Sequence, residues 1–457
     1  MSTFKITFAG GAQIPTGSNF LIEFGGKKIL IDCGLVQGEK YSIPMNAAPF
    51  TYDTKSIDAL FVTHAHLDHV GRIPKLVKDG FRGRIISTAP TRDIGELVML
   101  DSQGVLALEA KYHNTTPIYE EKDVLQAVSL WKEIVEYEKP FIFKTNDSDA
   151  EFIFHDAGHI LGSSIIEIRY KDKKIAFTGD LGNTPSPLLP DTTLVKGLDY
   201  LFVESVYGDR NHKDKDNRVE LLKEAVIKVI NRGGSVLIPS FSVERTQEML
   251  QVFNELTEHN KIPKVPIYLD SPLGIKVTDV YKKYDSWFKP EVDRQIKAGD
   301  DIFSFPGLIK TSSSDESREI NNDHRPKIII AGSGMSNGGR ILYHEVKYLP
   351  DAKSGIVIVG YQAAQTLGRR LVDEAKELFI HGQKVIVNAE VFNIRGFSAH
   401  KDSDNLIKFV AASKDTLKKV FVILGEPKSS YFMGQRIIEE LDIKAKVPEK
   451  DEVIEID

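Results

Sequence analysis

Alternating apolar and polar side chains predict short strands at residues 4–9 and 20–24, with Gly10-Gly11 and the turn-forming Thr16-Gly17-Ser18-Asn19 between them. Lys28-Ile29-Leu30-Ile31 predicts a buried strand running into Asp32-Cys33-Gly34, and a second apolar run ends at Val62. A helix is expected to open after His69, a strand at 84–88, and a long segment of helical period over 91–138 that carries His113. Two further apolar runs, 151–154 and 174–178, each end on a short polar segment with glycine. From about residue 206 the pattern changes. Helices near 216–231 and 243–257 alternate with short buried strands at 235–238, 266–269, 327–331 and 355–359. That alternation predicts a mostly parallel sheet covered by helices, so the chain is of the α/β class. Residues 300–325 are polar and read as a surface loop, and a last strand is expected at 420–424. There is no internal repeat or low-complexity tract.

The chemistry sits at the strand ends. Thr63-His64-Ala65-His66-Leu67-Asp68-His69 places three histidines and an aspartate in six positions directly after an apolar strand. Imidazole and carboxylate groups so close together suit zinc. Two more ligand-type residues, His159 and Asp180, follow later strands beside glycines. One zinc takes about four ligands including solvent, so six protein groups suit two metals with one bridging carboxylate. Asp32, also at a strand end, could accept the free N–H of a metal-bound imidazole. His155 and His344 read as structural and His113 as a surface residue.

Composition narrows the setting. The 457 residues allow two domains, or one with a large insertion. With 41% hydrophobic and 27% charged residues the chain is an ordinary globular protein. Its net charge of −6 excludes a general polyanion binder, so attraction to nucleic acid must come from a local patch or from metal ions. The single cysteine, Cys33, excludes an intramolecular disulfide and a thiolate zinc cage. No apolar run approaches a membrane span and the N-terminus has no signal-peptide pattern, so a cytoplasmic protein with no membrane partner is expected.

With His64-Ala65-His66-Leu67-Asp68-His69, His159 and Asp180, the chain resembles the metallo-β-lactamase superfamily. Residues 206–385 resemble the β-CASP cap of its nucleic-acid-processing branch. The likeness rests also on Glu204-Ser205-Val206-Tyr207-Gly208-Asp209-Arg210, Ile238-Pro239-Ser240-Phe241-Ser242, the loop from Gly332 to Arg340, Thr366-Leu367-Gly368-Arg369-Arg370 and Gly396-Phe397-Ser398-Ala399-His400. These segments are most similar to RNA 3′-end-processing endonucleases and their bacterial and archaeal relatives. The resemblance implies an αββα sandwich built from residues 1–205 and 386–457, with an inserted α/β cap at 206–385. It implies that His64, His66 and His159 hold one Zn2+ and Asp68 and His69 a second, with Asp180 bridging and Asp32 orienting the ligands. His400 would protonate the departing 3′-oxygen, held by Glu204, while a hydroxide between the metals attacks phosphorus. The implied activity is zinc-dependent hydrolysis of single-stranded RNA, leaving 5′-phosphate and 3′-hydroxyl ends, with a homodimer left open. Substrate contacts are assigned to Ser333 and Gly334 of the glycine-rich loop and to Arg340, Arg369 and Arg370.

The chain departs from the pattern at one place. RNA-cleaving relatives have a histidine before Gly-Glu in the last strand, where this chain has Leu424-Gly425-Glu426, and no histidine follows His400. An aliphatic side chain cannot ligate, so the second site should bind metal more weakly. A DNA nuclease of the repair type, which has an aliphatic residue there, is the alternative, as is a weakly active or inactive RNA-binding paralogue.

Overall fold

The computed structural model describes residues 3–38, 42–112, 114–363 and 365–457. They form two compact units. The first contains residues up to Ser186, Pro190–Asn211 and His400–Asp457. The second contains Pro187–Leu189 and His212–Ala399. His113 lies outside the described residues.

Among the described residues, the first unit holds two seven-stranded sheets. One runs in spatial order Val453–Ile456, Phe4–Phe8, Phe20–Phe24, Lys27–Ile31, Ala59–Phe61, Arg84–Thr88 and Glu133–Val135. The other runs Ala445–Lys446, Lys419–Ile423, Tyr200–Glu204, Lys173–Phe177, Ser164–Tyr170, Asp149–Asp156 and Phe141–Lys144. The two sheets meet through an aromatic core. Phe61 of the first stacks on Phe152 of the second at 3.9 Å between ring centroids. Phe177, Phe202 and Phe421 stack in a row beneath Phe8 and Phe20. The outer face of the second sheet buries Leu201, Val203 and Val422 against Leu406, Phe409, Met433 and Ile437 of two helices, Ser403–Ala411 and Pro427–Leu441. Each such fully buried side chain is worth about 1.5–3 kcal/mol of apolar transfer. The result is an αββα sandwich.

The expected helical stretch over 91–138 is two helices, Ala89–Tyr112 and Glu121–Leu130, followed by the edge strand Glu133–Val135. Reverse capping between Glu120 and Asp123 starts the second helix. The edge strands Phe141–Lys144 and Val453–Ile456 are four residues each and leave Ile142 and Val453 exposed.

The second unit is built on a parallel sheet in the order Leu308–Lys310, Ile267–Asp270, Ile328–Ala331, Val236–Pro239, Gly355–Ile358 and Glu390–Asn393. Its four central strands match the expected apolar runs to within a residue or two. The stretch read as a surface loop over 300–325 instead contains an edge strand, Leu308–Lys310, and the helix Ser314–Ile320. Ser313 and Glu316 cap that helix reciprocally, so its polar serines are a helix-start signal. Among the described residues, no helix is long and apolar enough to cross a membrane.

Candidate metal centre

Each candidate ligand of the first unit stands just beyond a strand. Ala59–Phe61 runs parallel to Lys27–Ile31 and Arg84–Thr88, so the chain leaves the sheet at Val62 and turns through His64–His69. The turn is stitched to two loops: after Lys27–Ile31, Cys33 N–H donates to the His69 carbonyl and Leu35 N–H to that of Leu67, and before Phe20–Phe24, Ser18 N–H donates to that of Asp68. Gly34 is required at this crossing, because a Cβ there would stand 1.5 Å from the Asp68 carbonyl oxygen. Asp32 takes the left-handed conformation, with φ of 57°, which aspartate tolerates better than most residues. That bend turns its carboxylate under the histidines.

Three ring nitrogens converge. His64 Nε2 and His159 Nε2 lie 3.2 and 3.1 Å from His66 Nδ1. Both Nε2 atoms are 3.5 Å from Asp180 Oδ2. A tetrahedron with metal–nitrogen bonds of about 2.0–2.1 Å has edges of about 3.3–3.4 Å, so these four atoms have the spacing of a zinc ligand set. The other oxygen, Asp180 Oδ1, is 3.4 Å from His69 Nε2, and Asp68 Oδ2 is 4.0 Å from the same nitrogen. Asp180 therefore faces both groups, one oxygen to each. His69 Nε2 and Asp180 Oδ1 are fully buried and neither has a hydrogen-bond partner. Buried polar atoms without partners are costly, and a cation between them, displacing the second proton of His69, would satisfy both.

The electrostatics agree with that reading. Burial, and then neighbouring imidazoles, hold the pKa values of His66 and His159 well below the ordinary histidine value, so both rings are neutral and able to ligate. Burial opposes a charge on His69, but Asp180 and Asp32 outweigh it and raise the pKa well above that value. Burial also raises Asp68, while Asp180 is held well below the carboxylate range because His69, His400 and His64 outweigh its burial.

A second constellation adjoins the first. Glu204 is fully buried at the end of Tyr200–Glu204, and Leu181 N–H donates to its Oε1 at 2.6 Å. His400 Nδ1 lies 3.3 Å from that same oxygen. His400 is pinned by a bridge to Gly182 and by Lys401 N–H donating to the Leu181 carbonyl, so the residues after Asp180 carry the imidazole. Its ring centroid is 4.7 Å from that of His159. Burial opposes its charge, but Glu204, Asp180 and Asp68 raise its pKa to about 9.

The chain matches known proteins along most of its length. The description "Metallo-beta-lactamase superfamily" matches residues 15–240, "Beta-Casp domain" 246–371 and "Zn-dependent metallo-hydrolase RNA specificity domain" 384–448. Over 431 residues the chain is 34% identical to a ribonuclease of Thermus thermophilus, covering 94% of this chain and 95% of that protein. The chain belongs to the metallo-β-lactamase superfamily, in its β-CASP branch. It is also 34% identical over 457 residues to an RNase J-like protein of Methanocaldococcus jannaschii, covering 99% of each. Transcription termination factor FttA of the same organism is 32% identical over 437 residues, covering 92% of this chain and 67% of that one. A crystal structure of a protein of unknown function from Enterococcus faecalis V583 shares the fold, with a TM-score of 0.54 at 15% identity over 99% of this chain and 100% of that one.

Within this β-CASP chain, Leu424 is fully buried. It belongs to the inter-sheet core with Ala12 and Phe20, and its N–H donates to the Gly11 carbonyl at 2.8 Å. Its φ of 49° is unusual for leucine and suits histidine or asparagine better. The residues expected to contact substrate lie in the second unit. Ser333 closes the glycine-rich loop, donating its N–H to the Gly338 carbonyl and accepting from Asn337 N–H. Gln362 donates to the Gly334 carbonyl. Arg340 turns its guanidinium inward, onto Asp270 and the carbonyls of Thr311 and Ser312. Arg369 pairs with Asp373, and Arg370 donates to the Glu377 carbonyl. His344 Nε2–H donates to the same buried Asp270, and His155 lies between Glu138 and Glu167.

Sequence reasoning passed over Thr63. Its hydroxyl lies within 3.4 Å of Asp32, His64 and His69. The available signal was its position directly before His64, where a β-branched residue reads simply as the end of a strand.

Proposed function

We propose that this protein is a metal-dependent ribonuclease that hydrolyses phosphodiester bonds of single-stranded RNA. The observation that carries the reading is the pair of ligand sets sharing Asp180, with the Glu204–His400 pair beside them. The match to an RNA specificity domain over 384–448, and relatives named as ribonucleases, support RNA over DNA. His64, His66, His159 and Asp180 would hold one divalent cation, and Asp68, His69 and Asp180 a second; the nitrogen-rich first set favours zinc. Bound there, the cations would neutralise charge on the scissile phosphate and lower the pKa of water so that it can attack phosphorus near neutral pH.

The chain's own groups account for the other half of the reaction. Glu204 accepts from His400 Nδ1–H, so the proton this ring can deliver sits on Nε2. Glu204 is outside both ligand sets and favours the charged ring, so His400 serves as general acid for the departing 3′-oxygen. Loss of that oxygen as a hydroxyl leaves a 5′-phosphate on the other product. The Ser333 N–H is already given to the Gly338 carbonyl and Arg340 serves Asp270, so of the expected phosphate contacts in this loop the Gly334 N–H is the candidate.

The direct test is cleavage of end-labelled single-stranded RNA and of DNA of the same sequence, with product ends identified. RNA products carrying 5′-phosphate and 3′-hydroxyl support the reading. DNA cleavage with RNA left intact would replace it with a repair-type nuclease. Leu424 favours a second reading, a weakly active or inactive RNA-binding paralogue, in which RNA is bound but cut slowly or not at all.

A further inference from the structure

We propose that the Thr63 hydroxyl is a positioning group that fixes the ring tautomer of His64, through which one buried carboxylate, Asp32, orients ligands of both metal sets. The inference rests on reading the histidine cluster as a metal centre. It is tested by metal affinity and ring tautomer rather than by RNA cleavage, so the two can fail separately.

Donors converge on Asp32. Its Oδ1 accepts from Thr63 N–H at 2.8 Å. Its Oδ2 lies 2.9 Å from Thr63 Oγ1, 3.1 Å from Ser18 Oγ and 2.7 Å from His69 Nδ1. A carboxylate only accepts, so the Thr63 O–H and the His69 Nδ1–H both point at it. Having given its one hydrogen to Asp32, Thr63 Oγ1 can only accept from His64 Nδ1, 3.0 Å away. His64 must therefore carry its proton on Nδ1. That leaves the Nε2 lone pair facing His66 and Asp180, and Asp32 fixes His69 in the same tautomer.

Thr63 also packs against Gly179, the residue before Asp180. A Cβ on Gly179 would lie 2.7 Å from both Cβ and Oγ1 of Thr63, so the glycine, with φ of 53°, lies flat on this side chain. Thr63 is fully buried and its carbonyl accepts from Ser164 N–H, which holds the residue rigidly between the two sheets. Partners that orient a ligating histidine typically change metal affinity about 10–100-fold when removed.

The experiment compares Thr63→Val, which keeps the shape and loses the hydroxyl, with Thr63→Ser, which keeps the hydroxyl. Zinc affinity is measured on the full chain by competition with a chromophoric chelator. Thr63→Val should bind the tighter zinc equivalent about 10–100-fold more weakly, and Thr63→Ser should stay near the parent. Val binding as tightly as the parent, or Ser losing as much as Val, overturns the proposal. If Thr63→Val does not fold, the wild-type chain decides. Two-bond 1H–15N spectra of the zinc-loaded, histidine-labelled protein should show His64, assigned by its loss in His64→Gln, protonated at Nδ1. Protonation at Nε2 overturns the proposal.

Discussion

Glu204 Oε1 and His400 Nδ1 face each other at 3.3 Å, with the carboxylate fully buried and the imidazole partly exposed. The buried negative charge holds the proton on the ring. As general acid, His400 is active while protonated, and activity falls as pH rises through its pKa. Glu204→Gln removes the charge and lowers that pKa. The alkaline limb of the pH–rate profile should move to lower pH, and kcat at neutral pH should fall by about 10²-fold, with metal content unchanged. An unmoved limb would remove Glu204 from this role.

Leu424 places an aliphatic side chain in the inter-sheet core, on a backbone conformation suited to histidine. Leu424→His should tighten binding of the second metal equivalent, measured by titration with zinc. It should also lower the melting temperature of the metal-free chain, because a buried imidazole without a ligand is poorly satisfied. Unchanged affinity for the second equivalent would show that this position does not reach the site.

Phe152 stacks on Phe61 at the centre of the sandwich, two residues before Thr63. Phe152→Ala should cost about 3–5 kcal/mol in denaturant unfolding, because the cavity lies between two sheets that cannot collapse onto it. A loss below about 1 kcal/mol would mean that the sheets are less rigidly packed than this stack implies.

Glu345, buried on the helix Ile341–Tyr348, receives a hydrogen bond from Ser336 but is raised by burial to about 8 from an ordinary 4.5. Unfolded chain loses this proton near pH 4.5 and folded chain only near 8, so the folded state holds more protons between those values. Stability therefore falls as pH rises through that window. Glu345→Gln should raise the melting temperature above pH 8 and leave it nearly unchanged at pH 4.5, by calorimetry. A pH-independent effect would contradict the buried-acid account.

The central strands and the candidate ligands were legible in the sequence for two physical reasons. Fully buried strands such as Ile328–Ala331 are uninterrupted apolar runs, and metal ligands are a rare residue class packed at short spacing. Edge strands such as Leu308–Lys310 face solvent and lose that signal. The tasks of Arg340 and Thr63 were not legible. Arg340 meets Asp270 across 70 residues, and Thr63 meets Asp32 across 31; such partners exist only once the sheets have formed.

The most direct test of the account is metal content per chain after purification without chelator, measured alongside cleavage of labelled single-stranded RNA. The paired ligand sets predict at least one tightly held zinc, a second equivalent that binds more weakly, and RNA cleavage that is lost in Asp180→Ala together with both metals. A chain that binds no metal, or that cleaves RNA equally well with Asp180 replaced, would contradict it.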